Sequence, residues 1–199
     1  MLVVVGGHSR NIGKTSVMAG IIRGLREAEW TAVKITQHGH GICSQTGVAC
    51  GCAPENPKDP FALNEERTPN ETDTGRYLAA GAARSYWLRA PQGSLGNALG
   101  AVREILAESR NAIFESNSIL RYIRPDLYLV VLDFSVEDIK ESSRRYMDRA
   151  DVFVVVDRGE RRPPWPVPEK WFKSKPCFRV QPGEFTSAEL VDWVRERLG

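Results

Sequence analysis

The chain predicts a single α/β domain over residues 1–199, built on a mainly parallel sheet with helices on both faces, and three observations carry that prediction. Apolar runs without polar alternation, at residues 2–5, 127–132 and 152–156, read as strands covered on both sides. Stretches with apolar residues at helical spacing lie between strands, as in residues 15–28, where Val17, Met18, Ile21, Ile22, Leu25 and Ala28 form one stripe. Strands that alternate with helices imply right-handed crossovers and therefore parallel pairing.

The remaining elements follow in chain order. Residues 32–36 form the second strand, and residues 37–69, with glycines, prolines, three cysteines and no sustained period, read as a long excursion from the core. Asn70 and Asp73 are placed to cap a short helix reaching Ala82. A strand at 85–88, a helix at 94–108 and a short strand at 112–114 ending in Glu115 come next. Ser135 with Asp138, and Thr186 with Glu189, match the capping-box spacing and predict helix starts there. Residues 158–169 carry four prolines and read as a loop, and 177–180 adds a last strand in which Cys177 is expected to be a small buried residue.

Bulk properties narrow the function classes. The composition, 42% hydrophobic and 26% charged, suits a globular chain, and a net charge of +2 gives no electrostatic support for bulk nucleic-acid binding. The N-terminus enters a strand directly, and the longest apolar run is far short of the roughly 20 residues a membrane helix needs. A cytoplasmic, reducing setting with no membrane partner is the expectation, in which four cysteines read as thiols or metal ligands.

The most specific chemistry lies after the first strand. Gly7-His8-Ser9-Arg10-Asn11-Ile12-Gly13-Lys14-Thr15-Ser16 is a glycine-rich loop between a buried strand and an amphipathic helix. In that context backbone N–H groups and the positive helix end converge on phosphate oxygens. The lysine reaches the outer phosphates, and the Thr hydroxyl helps to hold Mg²⁺. The sequence thus predicts a P-loop NTPase domain binding ATP or GTP with Mg²⁺, its catalytic set drawn from Lys14, Thr15, Lys34 and Glu115. Glu115, closing a parallel strand, would face the ligand crevice and join Thr15 and Asp73 around Mg²⁺. The plainer readings are a solvated strand-end carboxylate for Glu115, a helix cap for Asp73 and a surface lysine for Lys34. Arg10 and Arg76 are candidates for a charge-stabilising arginine. Asp157 could meet a guanine edge, but without an Asn-Lys-x-Asp motif the base stays open.

With five residues between Gly7 and Gly13, the loop resembles that of dethiobiotin synthetase and the MinD-like class of P-loop proteins. Ser9 stands where MinD-type members carry an extra lysine. Val33-Lys34-Ile35-Thr36-Gln37-His38, Asp73-Thr74-Gly75-Arg76 running to Ala80-Gly81-Ala82, and Phe114-Glu115-Ser116 extend the resemblance to the molybdopterin-guanine dinucleotide biosynthesis protein B family over roughly the first 120 residues. That resemblance implies nucleotide hydrolysis in the service of cofactor or metal-centre assembly, and a cofactor-assembly enzyme or metalloprotein as partner. The alternatives are an ATP-dependent ligase or kinase, with Lys34 and His8 holding an acceptor, and a non-catalytic nucleotide-switched adaptor.

His38, His40, Cys43, Cys50 and Cys52 fall in the pattern His-x-His-x₂-Cys-x₆-Cys-x-Cys. Thiolates and imidazoles suit zinc, and thiolates suit copper(I) or an iron–sulfur cluster. The spacing matches no standard zinc motif, so a metal site, completed within the loop or across a homodimer, stands beside reduced thiols with no ligand role.

Overall fold

The computed structural model describes residues 1–39 and 59–198. Among the described residues eight strands form one sheet in the order β3-β4-β2-β5-β1-β6-β7-β8. They are β1 (Leu2–Gly7), β2 (Trp30–His38), β3 (Ala62–Glu66), β4 (Arg84–Pro91), β5 (Asn111–Glu115), β6 (Leu127–Asp133), β7 (Val152–Val156) and β8 (Cys177–Val180). All pair in parallel except β3, which runs antiparallel to β4.

The alternation along β1 explains the two-layered core. Val3 and Val5 face one cluster, with Val17, Met18, Ile21 and Ile22 of α1 (Lys14–Gly24), Tyr77 of α2 (Asp73–Ala80), and Leu190, Val191 and Val194 of α6 (Ala188–Leu198). Leu2 and Val4 face the other, with Val102 and Ile105 of α3 (Leu99–Glu108), Tyr146 of α4 (Glu141–Tyr146) and the buried Trp165. Trp171 and Phe172 of α5 (Glu169–Ser174) pack against it. Val3, Val4 and Val5 are each fully buried, and burying such a side chain contributes about 1.5–3 kcal/mol. With β1 central, the chain leaves it towards β2 on one side and later crosses to β6 on the other. The strand order reverses there, and the carboxyl ends of β1, β5 and β6 border the crevice that such sheets use for ligands.

Several boundaries differ from the sequence expectations. The region 37–69 contains the end of β2 and all of β3. The Ala-Leu-Asn-Glu-Glu run of β3 lacks strand alternation and is held by its pairing with β4, while its charged residues suit a sheet edge. Thr72, rather than Asn70 or Asp73, caps α2, accepting from the Gly75 amide at 3.0 Å. Ser135 and Asp138 start no helix. The Ser135 amide and hydroxyl both donate to Asp133, at 3.0 and 2.6 Å, and α4 begins only at Glu141. Ser187 takes the role expected of Thr186, accepting from the Leu190 amide at 3.2 Å. Cys177 is exposed rather than buried. Among the described residues no helix is long and apolar enough to cross a membrane.

Candidate functional site

The loop between β1 and α1 is shaped by backbone geometry. Gly13 precedes the helix with φ 89° in the left-handed region, where a β-carbon would also strike the Phe185 ring. No side chain caps α1, and its first turn holds no acidic residue. The amides of Lys14, Thr15 and Ser16 therefore lack an intrahelical acceptor at the positive end of the helix dipole, which favours an anion.

The start of the loop is braced from below. Asn117, just beyond β5, receives the Gly7 amide at 3.0 Å and donates to the Gly7 carbonyl at 2.8 Å, and the Ser143 hydroxyl of α4 donates to that same carbonyl at 2.5 Å. Gly6 is required by this contact, because a β-carbon there would run into Asn117 and Tyr128. His8 and Ile12 send their side chains into the core, at 0% and 1% exposure. The His8 ring lies 4.6 Å from Trp165, with Nε2 3.3 Å from the Val136 carbonyl. Burial lowers its pKa and favours the neutral ring. The expectation that His8 holds a ligand or acceptor by its side chain is thus corrected, since only its backbone belongs to the loop.

A charged cluster lies against the start of α1. Lys14 Nζ folds back to donate to the Ser9 carbonyl at 2.8 Å. The Thr15 hydroxyl donates to Glu115 Oε2 at 2.7 Å, and the Tyr77 hydroxyl donates to the same oxygen. Lys34 pairs with Asp73 and lies 3.3 Å from Glu115 Oε1, between the two carboxylates. Arg76 donates to the Ser16 hydroxyl at 2.8 Å.

Burial opposes ionisation of Glu115, but Lys34, Lys14 and the hydroxyls of Tyr77 and Thr15 outweigh it and hold the acid below its ordinary pKa. Burial likewise opposes the charge on Lys34, and Glu115 and Asp73 more than compensate. At Lys14 burial prevails and its pKa is lowered, the Glu115 charge offsetting only part of the penalty. The Tyr77 phenol, buried beside Glu115, is pushed well above its ordinary value and stays a donor. A threonine hydroxyl and an ionised carboxylate side by side at the start of α1 are hard oxygen donors of the kind Mg²⁺ takes, so these residues fit that ion.

The structure therefore brings together Lys14 and Thr15 from the start of α1, Lys34 from β2, Asp73 from the start of α2 and Glu115 from the end of β5. Arg10, Ser9 and Asn11 line the loop beside them, Asn11 with φ 56°. His38 is buried at the end of β2, and His40, Cys43, Cys50 and Cys52 lie outside the described residues. Among the described residues no His, Cys, Asp and Glu group is suited to a metal ion. Asp157 Oδ1 is engaged by the Gly159 amide and by Arg179, both at 3.2 Å. Sequence reasoning gave no role to Tyr77, Asn117 or Ser143. Asn117 carried a signal, as a polar residue two positions beyond a strand-closing carboxylate, whereas Tyr77 and Ser143 carried none.

No protein-family model matches this chain, and no curated protein matches it significantly. Solved structures do. An apo form of LpxK from Aquifex aeolicus in complex with ATP superposes with a TM-score of 0.51 at 15% identity, covering 89% of this chain and 53% of that one. This chain thus spans about half the length of the LpxK chain. HypB from Helicobacter pylori in complex with nickel gives a TM-score of 0.49 at 12% identity, covering 98% of this chain and 86% of that one, a likeness too weak to support inference. The likeness to LpxK is one of fold: an α/β domain on a mainly parallel sheet.

Proposed function

We propose that the chain binds a nucleoside triphosphate with Mg²⁺ and hydrolyses it slowly. The observation that carries this reading is the hydrogen bond of 2.7 Å between Thr15 and Glu115 at the edge of an uncapped, anion-favouring helix start. In this reading the loop amides and Lys14 bind the phosphates, Lys14 exchanging the Ser9 carbonyl for phosphate oxygen. Thr15 and Glu115 hold the metal, directly or through water, and Asp73 joins them when Lys34 moves aside. Bound Mg²⁺ would supply neutralisation of charge on the outer phosphates.

The biological setting rests on the sequence resemblance: cofactor or metal-centre assembly, related to the molybdenum cofactor, with an assembly enzyme or metalloprotein as partner. Cys43, Cys50 and Cys52, with His38 or His40, belong to the same reading as ligands for zinc or an iron–sulfur cluster. Elemental analysis of anaerobically purified protein, against a variant with all three cysteines changed to serine, tests that part. A metal-free protein that cannot be reconstituted with zinc, copper(I), or iron and sulfide rejects it.

Calorimetric titration with ATP and with GTP, with Mg²⁺ and with EDTA, tests the central claim, and product analysis sorts the chemistry. Phosphate released to water supports hydrolysis. Phosphate appearing only on an added acceptor points to a ligase or kinase, and tight binding without turnover points to an adaptor. Absence of binding to either triphosphate overturns the reading.

A further inference from the structure

We propose that Lys140 is a second lysine of the phosphate site, positioned to bind the outermost phosphate of a triphosphate opposite Lys14, and so to discriminate triphosphate from diphosphate. The inference rests on the nucleotide reading above and adds to it a residue with no motif of its own.

Lys140 lies between β6 and α4, in a segment tied to the first residues of the phosphate loop. Its amide donates to the His8 carbonyl at 2.9 Å, and the Ser9 hydroxyl donates to Asp138 Oδ2 at 2.6 Å. Its own carbonyl accepts from the amides of Ser143 and Arg144, at 3.0 and 3.1 Å, which anchors the residue to α4. α4 in turn bonds to Gly7 through Ser143. Two hydrogen-bonded ties therefore hold Lys140 against residues 7–9, the part of the loop over which Lys14 folds.

The charges around it point to an anion. Lys140 makes no salt bridge among the described residues, while Lys14 and Arg10 lie close enough for their charges to act on it. Asp138 and Glu115 are the acids that reach it electrostatically, but the first already accepts from Ser9 and the second from Thr15 and Tyr77. Burial, then Lys14, then Arg10, push the Lys140 ammonium down to about 8. The charges of Lys14 and Arg10, both of the loop, oppose that of Lys140, and an anion would relieve this opposition. Lys14 serves the outer phosphates and the start of α1 the inner ones. Lys140, beside Ser9 and Lys14, is therefore at the outer end.

The test compares wild type, Lys140→Met and Lys140→Arg, with Lys14→Ala as a control. Each is titrated with the β,γ-imido triphosphates and the diphosphates of adenosine and guanosine in the presence of Mg²⁺. Lys140→Met should weaken triphosphate binding on the order of tenfold, the loss expected of one charge-assisted hydrogen bond, and diphosphate binding by less than about threefold. Lys140→Arg should restore most of the difference and guards against a methionine variant that misfolds. Equal loss for both nucleotides, or none for the triphosphate, overturns the proposal. If Lys14→Ala loses both nucleotides while Lys140→Met loses neither, the nucleotide reading stands and Lys140 alone fails. If the wild type binds no nucleotide, both fail.

Discussion

Two lysines flank the phosphate loop in opposite surroundings. Lys34, on β2, is enclosed by the carboxylates of Asp73 and Glu115, which together hold its charge above the ordinary lysine pKa. Lys140, ahead of α4, is pushed below it by burial first and then by Lys14 and Arg10. The same side chain is thus electrostatically satisfied on one side of the loop and frustrated on the other. Cations are already balanced by protein acids on the Lys34 side, so a metal ion entering there competes with an ammonium for the same carboxylates. On the Lys140 side positive charge exceeds what the protein neutralises, and a phosphate would complete it. In the proposed reading the loop has one flank suited to a metal ion and one suited to an anion, with Lys14 between them.

The largest effect expected from this contrast is at Lys14. Lys14→Ala should weaken binding of ATP or GTP on the order of 100-fold whether or not Mg²⁺ is present, because phosphate contact is the role assigned to it on both flanks. The fold should persist, since among the described residues the Lys14 ammonium hydrogen-bonds only to the Ser9 carbonyl. Calorimetry with circular dichroism checks both points, and unchanged affinity would remove the phosphate-site reading altogether.

Glu115 separates the flanks. Glu115→Gln keeps the side-chain volume but removes the charge, so the Mg²⁺-dependent part of binding and hydrolysis should fall about tenfold while binding in EDTA changes little. The amide also leaves Lys34 with Asp73 as its one remaining carboxylate neighbour. Equal losses with Mg²⁺ and with EDTA would mean that Glu115 shapes the pocket without holding the metal.

A third substitution tests the brace on the anion-accepting side. Asn117→Ala removes the side chain that both donates to and accepts from Gly7, so the Gly7 amide loses this acceptor while its carbonyl keeps Ser143. Such a loss costs about 1–3 kcal/mol. The variant should unfold at lower denaturant concentration and bind triphosphate more weakly with and without Mg²⁺. Stability within about 0.5 kcal/mol of wild type would show that the loop keeps its shape without this brace.

How much of this could be read from the sequence follows from chain distance. The placement of Gly13, Lys14 and Thr15 at a loop running into a helix was legible because the two adjoin in sequence, and that of Glu115 because it closes a short apolar run. Asn117 and Gly7 are 110 residues apart, and Tyr77 and Glu115 are 38 apart. No local period announces such pairs, which become visible only when β1, β5 and α2 are set beside each other. The strand order was open for the same reason, although seven of the eight described strands were anticipated, three of them as apolar runs. Helix starts were misplaced where neighbouring side chains compete for one cap. Thr186 fits the box spacing, yet Ser187 one position later takes the amide. β3 was missed because its strand identity comes from β4, not from its own residues.

The smallest effect expected is the dependence of stability on pH in the nucleotide-free protein, and it reads the frustration of Lys140 directly. The ammonium titrates near 8 in the fold, against about 10.4 in an unfolded chain. Below pH 8 it is charged in both states, and the repulsion from Lys14 and Arg10, together with the burial cost, is borne in full. Asp138 and Glu115 offset it only in part. Between pH 8 and about 10.4 the unfolded chain binds the extra proton, so this residue's contribution makes stability rise with pH through that window and level off above it. The difference between wild type and Lys140→Met is the informative quantity, because it cancels what the other ionisable groups contribute. The denaturation midpoint of wild type should climb relative to the variant from pH 8 to 10.4. With a saturating β,γ-imido triphosphate, the phosphate restores the Lys140 charge and the climb should vanish. A difference that stays flat without nucleotide would mean that Lys140 is not crowded by cations, and the contrast between the two flanks would fail at its weaker side.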